Sequence, residues 1–543
     1  MTKDEKKMLA INEKLKALQK ISSDQKTNLD SMISSADKES KELAEEILNL
    51  KIEEALYKDL NEGQLKAFVE MVNYIREVDD ENIDGLILKG YAGTGKTFVI
   101  TKLIEYIMTV YPKRKIAITA PTNKAVSVLY RNGKDNKGVF FDETQIDKKQ
   151  TLVYSTIHKL IGLKEVITDT GDQLFVSGES PTLEAFKYVI VDEVSMLDDK
   201  LLKELMEFRD KIKFIFLGDP AQIPPVKKTD CMPFRDDCIY SFKHLILDQI
   251  MRQNGDNPIV DTSIKVRENL GLKSPNPDLK TKLISGKKGP GVIVLSNEHN
   301  SGSIYKVLRH HFTSETFDND PDHMKVIAWT NATVKQVNTI VRDMKFNKDG
   351  NGNLGRFVVG DKIIANKAIF NRYEYESYRF GTTSTRYDVL FTTSTEFEVT
   401  RVTIRNEHFD EYSNDVLTAK ASLKVYQLDV KYKSLETDLY VRSSIQVIHE
   451  NSINDYNALL NKIKSEAIKS KNRKKWMLYY NIIKWNADVA YNYAITAHKS
   501  QGSTYQNVMV LDNDIDMNNK IVERNRIRYT AYTRASTRLF IVN

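Results

Sequence analysis

Residues 85–97 read Gly-Leu-Ile-Leu-Lys-Gly-Tyr-Ala-Gly-Thr-Gly-Lys-Thr, an apolar run of strand character that meets a glycine-rich turn. A helical stretch, TFVITKLIEYIMTVY, continues from Thr97. Gly90 to Thr97 match G-x-x-x-x-G-K-[ST] in the strand–turn–helix setting that a phosphate-binding loop requires. The glycines let backbone N–H groups turn inward around phosphates. Lys96 reaches the β and γ oxygens, and the Thr97 hydroxyl is suited to ligate Mg²⁺. Gly90, Ala92, Gly93, Thr94, Gly95, Lys96 and Thr97 are therefore candidate nucleotide-binding residues, with ATP and Mg²⁺ as the expected cofactors.

Downstream, Tyr188-Val189-Ile190-Val191-Asp192-Glu193 is an apolar strand ending in two carboxylates. At the carboxyl edge of a sheet, Asp192 would hold Mg²⁺ through water and Glu193 would polarise an attacking water. Around these two segments, short apolar runs alternate with helical stretches (GLILKG, KIAITAPT, YVIVDE, KFIFLGDP), the texture of a parallel sheet with helical crossovers. Residues 163–178, LKEVITDTGDQLFVSG, read as an inserted hairpin turning at Thr170-Gly171-Asp172.

The same texture recurs with MKVIAWTN and its helix ATVKQVNTIVRDM, and again at the end with NVMVLD and RLFIVN. Between them, FEVTRVTIR and SLKVYQLDVKY have period two and look like a small antiparallel barrel inserted in the second α/β region. No internal repeat of 20 to 50 residues is visible, so a solenoid is excluded. The first 56 residues lack Gly, Pro, Cys and aromatic residues but carry apolar positions at helical spacing, such as Met8, Ile11, Leu15 and Leu18. They read as a helical extension.

At 543 residues, the chain is long enough for three or four domains at about 150 residues each. Hydrophobic residues at 41%, with 21 Phe and 26 Tyr, exclude global disorder. The net charge of +6 excludes a polycation, so nucleic-acid contact must come from local basic clusters. Two cysteines, Cys231 and Cys238, exclude a disulfide framework and a structural zinc site. No apolar run approaches the roughly 18 residues of a membrane span, and MTKDEKKMLAINEKLKAL is no secretory signal. A cytoplasmic protein, and a monomer, is expected.

Nine segments carry a resemblance: LNEGQ (60–64), GYAGTGKT (90–97), ITAPTNKAV (118–126), STIHKL (155–160), VIVDEVSM (189–196), FLGDPAQIPPV (216–226), IMRQ (250–253), AITAHKSQGST (494–504) and RYTAYTRA (528–535). In order and character they resemble the superfamily 1 helicases, within them the Dda- and RecD-like group. The resemblance runs from about residue 60 to the C-terminus. It implies an α/β chain with two RecA-like P-loop domains. Residues 57–249 would form the first, with a hairpin or pin insertion at about 164–186; residues 250–360 and 488–543 would form the second. An SH3-like β-barrel with a basic helical segment would occupy 361–487, and residues 1–56 the N-terminal helical extension.

The same resemblance implies roles. Gln64 would bind an adenine edge, since an amide is donor and acceptor at once. Gln222 would sense the γ-phosphate, Arg252 and Arg534 would reach it from the second domain, and Gly502 would join the nucleotide site. Pro121, Thr122, Asn123, Thr156, His158, Thr330, Asn331, Thr496, His498 and Lys499 would contact a DNA strand, as small polar groups at strand ends that bond phosphates without reading bases. Phe175 falls where an aromatic pin residue is expected. Residues 370–387 and 462–485 interleave basic residues with rings, a composition suited to stacking on bases.

The function implied is an ATP-dependent DNA helicase moving 5′ to 3′ on single-stranded DNA and opening forked duplexes in phage replication or recombination, in the bacterial host cytoplasm. The N-terminal extension would meet replication or recombination proteins. A superfamily 1 RNA helicase and a non-unwinding, ATP-regulated single-strand-binding remodelling factor are the alternatives. The chain departs from the family pattern at the long polar stretch 131–150, at TTSTEFEVT (392–400) and in its N-terminal extension.

Overall fold

Apolar runs that bury on both faces pair as parallel strands, because crossover helices then cover each side. The chain builds two such sheets. The computed structural model describes residues 56–76, 83–132, 139–140, 151–168, 173–177, 182–225, 228, 230–249, 257–283, 291–295, 301–347, 354–377, 382–413, 416–434 and 439–543. The expected N-terminal extension thus lies outside the described residues, apart from Leu56, which packs on the first core.

The first unit contains β1 (Gly85–Gly90), β2 (Ile116–Ala120), β3 (Val139–Phe140), β4 (Leu152–Thr156), the hairpin strands β5 (Leu163–Ile167) and β6 (Gln173–Ser177), then β7 (Tyr188–Val191), β8 (Lys213–Gly218) and β9 (Phe242–Leu247). Its sheet runs β3-β4-β2-β7-β8-β1-β9 with every neighbouring pair parallel. Strand alternation divides the side chains between two cores. Leu86, Leu88, Ile118 and Ile190 meet Phe68 and Leu103 of the helices Glu62–Arg76 and Lys96–Val110. Ile87, Val189, Val191 and Phe216 meet Leu201 and Leu205 on the other face. The hairpin forms as expected, antiparallel from Leu163↔Ser177 to Ile167↔Gln173; its turn residues Thr170 to Asp172 lie outside the described residues.

The second unit opens with β10 (Lys282–Leu283), β11 (Gly291–Leu295) and β12 (Met324–Ala328). An insertion follows: β13 (Lys362–Ala365), β14 (Ile369–Ser377), β15 (Thr382–Phe391), β16 (Glu396–Ser413), β17 (Val416–Lys433), β18 (Tyr440–Ile448), the helices Ile453–Ser470 and Arg473–Lys484, and β19 (Val489–Tyr491). The unit resumes with β20 (Ala494–Thr496), β21 (Tyr505–Leu511) and β22 (Ala535–Val542). Its sheet runs β10-β11-β22-β21-β12-β20, parallel except for β10 against β11. Again the alternation fills two cores, Val508, Val510 and Ile541 on one face and Met509, Phe540 and Val542 on the other.

The insertion is antiparallel, as its period-two runs require, with strand order β18-β17-β16-β13-β19. The separate β14–β15 ribbon adds Ile369 and Phe391 to the same core as Phe397, Val399, Leu428 and Val430. Among the described residues the strand ladders do not close into a ring, but the Ala487 N–H, just before β19, donates to the Gln446 carbonyl of β18 at 2.8 Å. The inserted sheet also runs on to Tyr491, beyond the expected end at 487, because β19 pairs with β13 and three residues carry no readable pattern.

Buried polar anchors tie the insertion to its host. Arg342, on the helix Asn331–Phe346, donates to both carboxylate oxygens of Asp361 at 2.9 and 3.0 Å. On the same helix, buried Asn338 fixes the chain where it re-enters the second unit, donating to the Ala494 carbonyl and accepting the N–H groups of Tyr493 and Ala494. Asn338→Leu would leave those backbone groups buried and unpaired, a loss of about 2–3 kcal/mol. Urea denaturation of the variant is expected to show that loss as a lower midpoint.

Candidate nucleotide and nucleic-acid sites

The loop after β1 takes two left-handed residues, Gly93 at φ 87° and Gly95 at φ 84°, where a side chain would be strained. A Cβ on Gly95 would also lie 2.5 Å from Gln64 Nε2. That amide is braced. Gln64 Nε2 donates to the Thr94 carbonyl at 3.1 Å, Gln64 Oε1 accepts the Asn61 N–H, and the residue is 2% exposed. The structure thus places Gln64 as a support for the loop, with an adenine contact left to whatever bonding capacity remains. Lys96 Nζ is held at the loop, donating to the carbonyls of Gly90 and Tyr91.

Across β7 and β8, a cleft of about 920 Å³ is lined by Lys96, Thr97, Asp192, Glu193, Gln222 and Arg534. Asp192 is fixed by its own N–H on the Thr119 carbonyl, and its Oδ1 accepts the Glu193 N–H at 2.7 Å. Glu193 is held at φ 52°, a left-handed conformation costly for a residue with a side chain and of the kind that clusters at working sites. Burial and the neighbouring Asp192 push its carboxyl up to about 7, while Arg534 and Lys96 pull the other way. Burial likewise raises Asp192. Gln222 is 6% exposed, and its Oε1 has no hydrogen-bond partner among the described residues, a buried acceptor turned to the cleft. Arg534 is clamped by the Thr530 and Ser503 carbonyls and by the Thr533 hydroxyl. Arg252 lies outside the described residues.

These groups suit a nucleoside triphosphate. The loop offers backbone donors and an ammonium, Thr97 and Asp192 offer oxygen ligands for a hard cation, and Gln222 lines the same cleft with an amide whose NH₂ can donate to a phosphate oxygen. Gly502, at φ 70°, lines the same cleft, and a Cβ there would press on Ala125 at 3.3 Å, so this glycine lets the two units approach.

Contacts that bridge the cleft involve residues that sequence reasoning missed. Tyr529, on the helix Ile521–Tyr532 of the second unit, donates its hydroxyl to Asp219 Oδ2 at 2.6 Å and accepts the Ala92 N–H at 3.3 Å. Next to it, Thr530 Oγ1 accepts the Ile223 N–H, and the Arg267 guanidinium lies 3.6 Å from the Tyr91 ring centroid. A tyrosine in RYTAYTRA offers no periodic or compositional signal. Only its neighbour Arg534 was marked by resemblance.

The expected strand contacts form a duplicated arrangement. Ala120-Pro121-Thr122-Asn123 leaves β2, and Thr156-Ile157-His158-Lys159 leaves its neighbour β4, with Ala120 in register with Thr156. In the second unit Ala328-Trp329-Thr330-Asn331 leaves β12, and Thr496-Ala497-His498-Lys499 leaves its neighbour β20, with Ala328 in register with Thr496. Each of the four threonines accepts the N–H three residues on, capping a helix start. Each unit therefore turns two helix N-termini and a histidine toward one edge, an arrangement that favours phosphates. Asn331 and His158 are exposed, while His498 is half-buried and its pKa is lowered by that burial. Lys499 Nζ donates to Asn366 Oδ1 of the insertion.

The two stretches that interleave rings and basic residues are placed in part. Ile482 of the helix Arg473–Lys484 and Trp485 at its end pack with Leu423, Val425 and Ile448, and buried Trp476 meets Tyr479 edge-on. The rings between 462 and 485 thus serve packing, because the basic residues take the exposed face of an amphipathic pair. In 370–387, Tyr373 donates to Asp388 within the β14–β15 ribbon. Phe175 lies on β6 with its backbone opposite Glu165.

An AAA domain model matches residues 79–228, and a UvrD-like helicase C-terminal domain model matches residues 491–542. Uncharacterized protein R530 of Acanthamoeba polyphaga mimivirus is 28% identical over 484 residues, covering 83% of this chain and 94% of that protein. The ATP-dependent DNA helicase dda of Enterobacteria phage T4 is 25% identical over 465 residues, 84% of this chain and 92% of the helicase. The RecBCD enzyme subunit RecD of Buchnera aphidicola (subsp. Schizaphis graminum) is 27% identical over 217 residues, 39% of this chain and 35% of RecD.

Removing the Tyr529 hydroxyl alone would leave Asp219 Oδ2 and the Ala92 N–H without their bridge. Tyr529→Phe is expected to lower the ATP turnover number about tenfold while the melting temperature stays within about 2 °C. Steady-state phosphate release and thermal melting check this together.

Proposed function

We propose that this homologue of the superfamily 1 helicases of the Dda and RecD kinds is an ATP-dependent DNA helicase that moves along single-stranded DNA and opens duplexes. The observation that carries the reading is the pairing of one cleft with two copies of the strand-end segment. The phosphate loop belongs to the first unit, Arg534 to the second, and each unit bears its own Thr-capped edge. A cleft shared in this way turns a change at the nucleotide into a change in the distance between two grips.

In this scheme ATP with Mg²⁺ supplies the phosphoanhydride whose cleavage is coupled to motion. Thr97 and Asp192 would hold the cation, and Lys96 and Arg534 would balance charge on the phosphates. Arg252 is assigned the same charge-balancing role as Arg534. Glu193, whose raised pKa marks it as a base, would take a proton from the attacking water. The amide of Gln222 would report the terminal phosphate to the strand that ends at Gly218. On the DNA side, Thr122, Thr156, His158, Asn331, Thr496, His498 and Lys499 would hold phosphates without reading bases. Pro121, Asn123 and Thr330 would shape the loops that carry them.

The hairpin β5–β6 is assigned as the wedge, with Phe175 against the first base pair. Each base-pair step costs about 1.4 kcal/mol to open, and a ring stacked on the exposed base offsets part of that. The polarity is taken as 5′ to 3′, in line with the family resemblance, and the setting as phage replication or recombination.

Strand displacement on DNA with a 5′ or a 3′ overhang tests activity and polarity together, and DNA against RNA oligonucleotides in the ATPase assay tests the substrate. Activity on the 5′ overhang only is expected, and Lys96→Ala should abolish both ATP hydrolysis and displacement. Phe175→Ala should keep single-strand-stimulated ATP hydrolysis and lose displacement at least about tenfold. Normal unwinding by that variant would remove the hairpin from the mechanism.

A further inference from the structure

The two strand-end loops differ in one respect that no motif marks. Thr122 caps its helix through the Ala125 N–H alone, whereas the loop Trp329–Thr333 is gathered around a single buried carboxylate, Asp514, 4% exposed. Asp514 Oδ2 accepts the N–H groups of Trp329 at 2.6 Å and Thr330 at 2.9 Å. Its Oδ1 accepts the hydroxyls of Thr330 at 2.9 Å and Thr333 at 2.6 Å. Four charge-assisted bonds on one carboxylate fix both the loop's course and the Thr330 rotamer.

The turn that carries Asp514, Asp512–Ile515, also carries Asp512, whose two carboxylate oxygens accept Arg528 Nε at 2.9 Å each. Arg528 is bonded to Asp516 as well, at 2.7 Å. It precedes Tyr529 and Thr530, the two residues that bond across the cleft to Asp219, Ala92 and Ile223. One short turn is therefore bonded on one side to the helix that touches the nucleotide cleft and on the other to the loop expected to hold DNA.

We propose that Asp514 is a positioning residue that ties the DNA grip of the second unit to nucleotide state through the turn it shares with Asp512. This rests on the loop of Thr330 and Asn331 being a strand contact, as the helicase reading holds. Asn at 514 would keep the shape but could not accept from four donors. Thr333→Val removes one of the four bonds to Asp514, together with the contact to the Thr330 hydroxyl, and leaves the other three bonds to Asp514 in place.

The test measures the dissociation constant of a fluorescent oligo-dT with ADP and with a non-hydrolysable ATP analogue, for the full chain and both variants. The wild-type constants are expected to differ between the two nucleotides. In Asp514→Asn the ratio should collapse to within about twofold of unity, and in Thr333→Val it should shrink in the same direction, with the KM for ATP in the absence of DNA unchanged within twofold. A purely structural role would lower the melting temperature and weaken DNA binding equally in both nucleotide states. A wild-type ratio retained by Thr333→Val and by folded Asp514→Asn would overturn the proposal. Failure of the wild-type chain to bind oligo-dT at all would overturn the helicase reading instead.

Discussion

The hydrogen bonds at the Tyr529 hydroxyl are the contact on which the arrangement of the two units turns. One phenol donates to Asp219, beyond the end of β8, and accepts from Ala92, inside the phosphate loop. Both partners sit at the carboxyl edge of the first sheet, where parallel α/β sheets place their ligands. Bringing the second unit's helix to that edge also carries in Arg534 and Thr530, and it sets Gly502 against Ala125. A neutral hydroxyl that both gives and takes a bond suits this position, because an ion there would have to be desolvated between an anion and the loop's own donors.

Much of this was legible in the sequence, and for identifiable reasons. The phosphate loop, the Asp192–Glu193 pair and the parallel strands were readable because each imposes a local rule: glycine where φ is positive, apolar runs where both faces bury, a carboxylate at a strand end. The hairpin and the antiparallel insertion were readable from period two. Gln64 was recognisable as a residue of the site, yet its principal bond, to the Thr94 carbonyl, joins residues far apart in sequence and leaves no pattern. The aromatic residues of the helix Arg473–Lys484 misled for a physical reason: rings and lysines alternate alike on a stacking surface and on an amphipathic helix. Only burial of Ile482 and Trp485 against the inserted sheet tells the two apart.

The duplication of Ala-x-Thr-Asn beside Thr-x-His-Lys was invisible to a search for periodic repeats. Each copy consists of two short segments that become neighbours only when their strands pair, and the insertion separates the two segments of the second copy. Asp512 and Asp514 were hidden for a similar reason. In VLDNDID they look like an acidic turn after a strand. Their importance lies in what each accepts, a guanidinium on one side and a gathered loop on the other.

The insertion meets the first unit through charge, and the choice has a consequence for a machine built to move. Lys124, next to Asn123, donates to Glu396 at the start of β16, and Lys325 of the second unit lies 3.9 Å from the same carboxylate. Burial alone would raise the Glu396 pKa, but Lys124 and Lys325 hold it down at about 2, so the carboxylate stays ionised at any working pH. A joint of buried ions costs more to form than an apolar one of equal volume, because each charge must leave water. Opening such a joint returns that hydration, whereas separating apolar faces costs about 25 cal/mol for every Å² exposed. An ionic joint is therefore specific in its geometry when closed, and its ions recover hydration when it parts. Its place beside Thr122 and Asn123 puts that property at the first unit's strand-end loop, where a grip would have to be taken and released in every cycle.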